Sequence, residues 1–496
     1  MIVILEHALT HPLNDCYIIR REAPRCSFYS DGHMPEPRSV ERATDSGSHA
    51  SFFIATDSES CRSYRNMRSL PLSQKLFRNA YVNVMRLTDR LVDGYYRLAV
   101  ARPNSKFSKF VIGRKNVLNH IRRDIDIDPA RKTVWIHSSS YGEFAIARPL
   151  ISTLADCNIV ITFFSPSGYE PTSGSHKFKN TFYLPIDSAS NASAFLDIIK
   201  PDIALFMVSE LWLCYMEELK KRKIPALLIS ALIRDNSVFF KPYGALHRMM
   251  IKQFSHIFCL NDRSADNLKK LGVTSYSVIG DPLFDNAYIN SRKEYSNPVI
   301  ERFKGPDRLF VAGSIDTDRD LKLVSSLANT FGDTKFLIVP HTISENVLNR
   351  IISSLNGKAA LYSECTDNTD FSDVQTLVVD YFGDLPLLYR YGTWAYVGGG
   401  FTRYLHSVIE PVVYGIPVAF GPDIRRKTTP LQLIDAGIGE SVGSPAEIRN
   451  WFRAIMHDDT RLSAIREKAR EYVQANLGAS RHIVNIISGI LHADKC

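Results

Sequence analysis

Residues 396–422, YVGGGFTRYLHSVIEPVVYGIPVAFGP, decide the fold. The apolar run 393–397 reads as a buried strand. Gly398, Gly399 and Gly400 form a turn where backbone approaches a ligand with no Cβ in the way. Residues 405–414 read as a helix carrying Glu410, and 416–420 as the next strand, closed by Gly421-Pro422. A glycine turn opening a helix suits an anion, because free N–H groups and the positive dipole end face it. Glu410, one to two turns in, is placed to accept hydrogen bonds from ribose hydroxyls. The same letters also describe an ordinary strand–turn–helix with packing glycines. The attached E-P-x-x-x-G-x-P-V-x-x-G-P run points to a nucleotide site.

Working outward, the same strand–helix rhythm begins at Thr133. Strands are expected at 133–137, 159–164, 182–184, 203–207, 226–230 and 256–260. Helices are expected at 145–154, 189–199, 211–221 and 263–271. The polar stretch 286–307 breaks the rhythm and reads as a linker. It restarts with strands at 309–312, 336–339, 377–379, 393–397 and 417–420, and 464–491 reads as one or two closing helices. The alternation predicts an α/β protein with two doubly wound parallel sheets facing across a cleft. Ligands are expected at the carboxyl ends of the strands. The boundaries are 113–285 and 307–475 for the two Rossmann-like domains, 286–306 for the linker and 476–496 for the closing helix.

The chain has 496 residues, net charge +8, 45% hydrophobic and 23% charged residues, which are globular values that allow two or three domains. The modest basic excess does not call for a nucleic-acid partner. Eight cysteines lie scattered without a C-x-x-C pair, arguing against a zinc ribbon or a disulfide framework. Residues 1–66 lack sustained period and read as disordered, or as an extension upstream of a start at Met67. In the segment 67–112, Phe77, Tyr81, Val84, Leu87, Leu91, Tyr95 and Leu98 form one stripe of an amphipathic helix, interrupted for any membrane span by Lys75, Arg78, Arg86, Arg90 and Arg97. Residues 102–132 then carry nine Lys/Arg against three Asp. This pattern fits an anchor on an anionic membrane surface, or a helix packed on the protein's own core.

Candidate chemistry gathers after the strands. Glu143 stands where H-S-S-S-Y-G-E-F (137–144) enters a helix. A carboxylate there serves as a helix cap or as a general base, and spacing leaves both open. His137, Ser140, Glu210 and Arg234 lie near the same edge. In the second half, Gly313 and Ser314 are placed to hold a phosphate. His341 contacts the ligand or is a solvated loop residue. Asp318-Arg319-Asp320 matches a D-x-D metal motif in form, but acids are favoured at a helix start in any case.

Together these motifs resemble the 3-deoxy-D-manno-octulosonic acid (Kdo) transferases that act on lipid A precursors. The resemblance rests on W-I-H-S-S-S-Y-G-E-F (135–144), F-F-S-P-S-G-Y-E (163–170), Y-L-P-I-D (183–187), S-E-L-W (209–212), S-A-L-I-R (230–234), G-D-P-L-F-D (280–285), A-G-S-I (312–315), I-V-P-H (338–341), V-D-Y-F-G-D-L (379–385) and the 398–422 block, in the family's order over roughly 75–490. It implies a GT-B glycosyltransferase that inverts the anomeric centre, with CMP-Kdo as donor, a lipid A precursor (lipid IVA) as acceptor, and neither metal nor cofactor. It implies Glu143 as the base. It implies donor contacts from Gly313, Ser314, His341, Gly399, Gly400, His406, Ser407 and Glu410, and a peripheral place on the cytoplasmic face of the bacterial inner membrane. Three departures stand out. Tyr404-Leu405-His406-Ser407 replaces the family's G-G-H-N step, Pro340-His341-Thr342 replaces P-R-H, and Val208 takes the first carboxylate position of E-x-E-L-W. The alternatives are another GT-B nucleotide-sugar transferase or epimerase, or an inactive membrane-surface scaffold.

Overall fold

The computed structural model describes residues 72–492, apart from 104, 176–177, 403 and 425–426, with side chains described from residue 74 onward. The reading of residues 1–66 lies outside the described residues. The described strands form two seven-stranded sheets in which every pairing is parallel. The first contains β1 (Thr133–Ser138), β2 (Asn158–Phe163), β3 (Thr181–Tyr183), β4 (Ile203–Met207), β5 (Ala226–Ala231), β6 (His256–Cys259) and β7 (Tyr276–Val278), in the order β3-β2-β1-β4-β5-β6-β7. The second contains β8 (Leu309–Ile315), β9 (Lys335–Pro340), β10 (Ala359–Leu361), β11 (Thr376–Val378), β12 (Trp394–Val397), β13 (Val418–Phe420) and β14 (Gly439–Ser441), in the order β10-β11-β9-β8-β12-β13-β14.

Strand β1 shows why the sequence folds this way. All six residues are buried, as expected for a central parallel strand covered on both faces. Side chains alternate between those faces. Val134 and Ile136 join one hydrophobic cluster, whereas Trp135 joins another with Phe195, Phe206 and Tyr215. In β8, Leu309 and Val311 likewise face one core, and Phe310 and Ala312 the other. β7, β10 and β14 were missing from the sequence reading, because three-residue strands without buried apolar runs carry no periodic signal.

Three expectations need correction. The stretch between the sheets is mostly helical, in Leu283–Ser291 and Pro298–Lys304. Asp285 in the first of these accepts the Gly478 and Ser480 N–H groups at 2.8 and 2.6 Å and so caps the last helix, Ala479–His492. That helix returns to the first domain, where Ile483, Val484 and Ile487 join the core beside β1. Second, the helix expected at 405–414 shrinks to one turn, Ile409–Val412. Pro411 lacks an N–H, and Gly415 ends the turn at φ +75°.

Third, the helix Leu72–Ala101 packs by a face other than the stripe read from the sequence. Val82, Thr88, Val92 and Ala99 are buried. Arg78 grips Glu217 with two bonds of 2.6 and 2.7 Å, and the Tyr81 hydroxyl donates to Asp187 at 2.7 Å. Of the stripe, Phe77, Val84, Leu87, Tyr95 and Leu98 are exposed, up to 66% at Leu98. No described helix is long and apolar enough to cross a membrane. The basic run 102–132 is largely spent within the fold. Lys109, Lys115 and Lys132 pair with Glu170, Asp93 and Asp202. Arg114 is buried against the Phe110 ring, its guanidinium bonded to the Leu184, Phe110 and Phe164 carbonyls.

Candidate active site

The strand order reverses between β1 and β4 in one sheet and between β8 and β12 in the other. Such switch points open a crevice at the strands' carboxyl ends. The carboxyl ends of these four strands and the segments that follow them hold His137 to Glu143, Glu210, Gly313 to Asp316, and Gly398 to Gly400. Three residues close to these edges, Val208, Ser230 and Ser314, lie in the left-handed region at φ +62°, +61° and +54°. For β-branched Val208 this conformation is strained, and it sits two residues before Glu210, where such strain tends to accompany function.

Glu143 lies in the first turn of the helix Tyr141–Thr153. Its carboxylate accepts the Ser139 N–H at 2.7 Å, so the cap reading holds. Burial, followed by the nearby Glu210 carboxylate, drives its pKa well above the usual carboxylate range, against the pull of the Ser139 and Ser140 N–H groups. A carboxyl group raised in this way is a stronger base near neutral pH. The cap geometry and the base role are therefore compatible.

Glu210 is buried beneath it, accepting from Trp212 Nε1 at 2.8 Å and facing His137 Nε2 at 3.2 Å. A nitrogen facing a carboxylate must carry its hydrogen. Trp135 Nε1 donates to the Thr162 hydroxyl at 2.8 Å, and that hydroxyl contacts His137 Nδ1 at 2.9 Å. These contacts are satisfied with a hydrogen on His137 Nε2 facing Glu210 and the Thr162 hydroxyl against Nδ1. His137 is thus buried, holding Glu210 in place, rather than presented to a ligand. Thr162 carried no sequence signal, and Trp135 entered only as the first letter of the 135–144 motif, since each fits a strand core. Ser140 caps the Tyr141–Thr153 helix with extended backbone, and Arg234 lies beyond β5.

In the second domain the three glycines serve close packing of the chain on itself. A Cβ on Gly398 would lie 2.0 Å from the Ser314 carbonyl oxygen, on Gly399 2.3 Å from that of Tyr404, and on Gly400 2.5 Å from the Gly421 nitrogen. Gly313 backs onto the Tyr389 hydroxyl at 2.1 Å in the same sense. The helix-dipole argument for an anion fails here, because one turn carries little dipole. Asp320 organises the turn instead. It is fully buried and accepts from the Tyr396 hydroxyl at 2.7 Å, from the Gly399 N–H at 3.2 Å, and from the Thr317 N–H and hydroxyl at 3.0 and 2.7 Å. Asp318, the other acid of the D-x-D match, pairs with Arg350 at 2.8 Å.

Glu410 is half-buried, and burial lifts it to about 7, with Arg148 pulling it partly back. Arg148 is on the helix that carries Glu143, so the two candidate acids belong to facing walls. Lys427 donates to the Leu405 carbonyl at 2.6 Å and is pushed down by burial, with Asp281 opposing. His406 and His341 lie ring to ring, their centroids 4.5 Å apart, and burial pushes His406 down to about 3. Ser407 stands in the loop leading to Ile409–Val412. Arg148 and Lys427 were absent from the sequence reading, because lone charges in apolar or loop settings have no spacing to mark them, and Asp281 entered it only within the G-D-P-L-F-D motif, with no role.

Glu410 supplies a pH prediction. Its folded value of about 7 exceeds the ordinary 4.5, so the unfolded chain loses its proton first. Stability is then lost as pH rises from about 4.5 to about 7. Glu410→Gln should therefore melt higher than the native chain at pH 8, by at most about 3 kcal/mol, and similarly at pH 4. Equal differences at both pH values would remove the buried-acid account.

Residues 113–286 match the family model described as 3-deoxy-D-manno-octulosonic-acid transferase (kdotransferase). A Rickettsia felis 3-deoxy-D-manno-octulosonic acid transferase is 24% identical over 380 residues, 73% of this chain and 80% of its own. The Aquifex aeolicus enzyme of the same name is 24% identical over 68% of this chain and 90% of its own, and the Chlamydophila psittaci one is 26% identical over 67% and 80%. Among solved structures, a Listeria monocytogenes protein assigned as a UDP-N-acetylglucosamine 2-epimerase matches with TM-score 0.53 and 14% identity, over 73% of this chain and 97% of its own. S. aureus MnaA with UDP gives 0.51 at 14% identity. These two show the GT-B fold alone. By the family model over its first domain and by these relatives, the chain is similar to the 3-deoxy-D-manno-octulosonic acid transferases, and it is a glycosyltransferase.

Proposed function

We propose that the protein moves Kdo from CMP-Kdo to a sugar hydroxyl of a lipid A precursor in lipopolysaccharide synthesis. Glu143 takes the hydroxyl proton as that oxygen bonds to the anomeric carbon. The bond from that carbon to the phosphate oxygen breaks, and CMP leaves with the electron pair on inversion. The supporting observation is the raised carboxyl of Glu143 at the switch point of the first sheet, inside the segment that matches the family. Ser314, Gly399, Gly400, His341, His406, Ser407 and Glu410 form the donor wall in this reading. His137 and Glu210 support the base from below, with Ser140 and Arg234 beside it. The test is transfer from CMP-Kdo to lipid IVA, with UDP-sugars as competing donors. Turnover of a UDP-sugar in place of CMP-Kdo would replace this reading with another GT-B transferase.

The acceptor is a lipid, and the exposed stripe of the Leu72–Ala101 helix is placed to meet its membrane. Leu76, Phe77, Val84, Leu87 and Leu98 are exposed, with Arg86, Arg90 and Arg97 alongside. This is the composition of an interfacial helix on an anionic, cytoplasmic leaflet. Changing Leu76, Phe77, Leu87 and Leu98 together to Ser leaves the buried face intact. It should weaken partition onto anionic vesicles by roughly 100-fold or more, since each apolar side chain contributes on the order of 1.5–3 kcal/mol on burial. Unaltered sedimentation with vesicles would sink the surface assignment.

A further inference from the structure

Asp316, His341 and His406 follow three adjacent strands, β8, β9 and β12. The chain brings them together by backbone bonds: the His341 N–H donates to the Ile315 carbonyl at 3.0 Å and the His406 N–H to that of Gly398 at 3.1 Å. His341 Nδ1 lies 3.4 Å from Asp316 Oδ1. One ligating atom from each of the three residues falls within 4.8 Å of the others. His406 Nε2 is buried and has no hydrogen-bond partner among the described residues. A buried nitrogen left without a partner costs on the order of 1–3 kcal/mol, so this one calls for an occupant.

We propose that Asp316, His341 and His406 form a binding site for a divalent transition-metal ion on the donor wall. Two imidazoles and one carboxylate are a borderline-soft set that suits zinc. Ligands about 2.0–2.1 Å from a tetrahedral ion lie about 3.3 Å apart, which the His341–Asp316 pair already matches at 3.4 Å. The remaining separations close by side-chain rotation, which half-exposed His341 and Asp316 permit. Three protein ligands leave one position of a tetrahedral ion open. The site uses neither acid of the D-x-D match: Asp320 holds the glycine turn and Asp318 pairs with Arg350. It departs from the metal-free chemistry that the resemblance implies, and it depends on His341 standing where the family carries a different residue.

The experiment uses the full chain, stripped with chelator and titrated with zinc by calorimetry in the absence of any nucleotide. Cobalt absorption reports the ligand geometry. The native chain should bind one equivalent more than His341→Ala, or bind it at least roughly ten-fold more tightly, since even outer-shell changes cost ten- to a hundred-fold. Zinc should raise the melting temperature of the native chain more than that of His341→Ala or Asp316→Asn. The exposure of His341 and Asp316 keeps both variants folded, which melting without metal verifies. Identical titrations for the native chain and His341→Ala, or no zinc bound by either, would overturn the site. Because no donor is present, the result stands apart from whether Kdo transfer is the reaction.

Discussion

Glu143→Gln is expected to lower Kdo transfer by roughly 10²–10⁴-fold, the usual contribution of a positioned general base. The amide fills the same volume and still accepts the Ser139 N–H through its oxygen, so the cap at 2.7 Å survives. Affinity for CMP should be unchanged, because the residues proposed to hold the donor belong to the other sheet. A pH profile separates the base from a cap. The raised carboxyl of Glu143 must be ionised to act, so activity falls as pH drops through its titration. The Glu210 carboxylate is its second cause of elevation after burial. Glu210→Gln should therefore move the acid limb to lower pH, because removing a like charge favours ionisation. Full activity in Glu143→Gln, or an acid limb that Glu210→Gln leaves in place, would defeat the assignment.

Asp320→Ala is expected to destabilise the second domain by about 3–5 kcal/mol, since each donor left buried without an acceptor costs on the order of 1–3 kcal/mol. The substitution strands the Tyr396 hydroxyl, the Gly399 N–H and both Thr317 donors. It also leaves a void where the carboxylate was fully buried. Asp320→Asn keeps an acceptor oxygen but sets an NH2 group against donors, so its loss should be intermediate. Denaturant unfolding read on the second domain gives the figure. A loss near zero for the alanine variant would mean that Asp320 is an ordinary helix cap. CMP affinity should fall with it, since Gly399 and Ser314 take their positions from this network.

The alternating strands and helices made both parallel sheets legible, because buried parallel strands leave continuous apolar runs such as Ile203–Met207. Glu143 was legible as a candidate because it begins a helix directly after the first strand. What sits beneath it was not. His137, Thr162 and Trp135 are far apart in sequence and meet only where β1 and β2 pair, His137 opposite Thr162. The glycine turn was read as an opening for a ligand, whereas backbone from Ser314, Tyr404 and Gly421 fills that space. Nothing local encodes which neighbour occupies the room a missing side chain leaves.

The helix Leu72–Ala101 draws the same line. Its sequence determined an amphipathic rod, since apolar residues recur at steps of three and four. Only the tertiary structure decided that most of the stripe faces outward, because Val82, Thr88, Val92 and Ala99 pack inward, Arg78 is tied to Glu217, and Tyr81 of the stripe turns in to bond Asp187. The buried strands, the order of elements and the place of Glu143 at a helix start follow from near-neighbour chemistry, and the sequence by itself determined them. The partners of Glu143, the placing of Arg148 near Glu410 and the meeting of Asp316, His341 and His406 join residues distant along the chain. Only folding decides those, because side-chain contacts across a sheet depend on strand order and register, which composition and spacing do not carry.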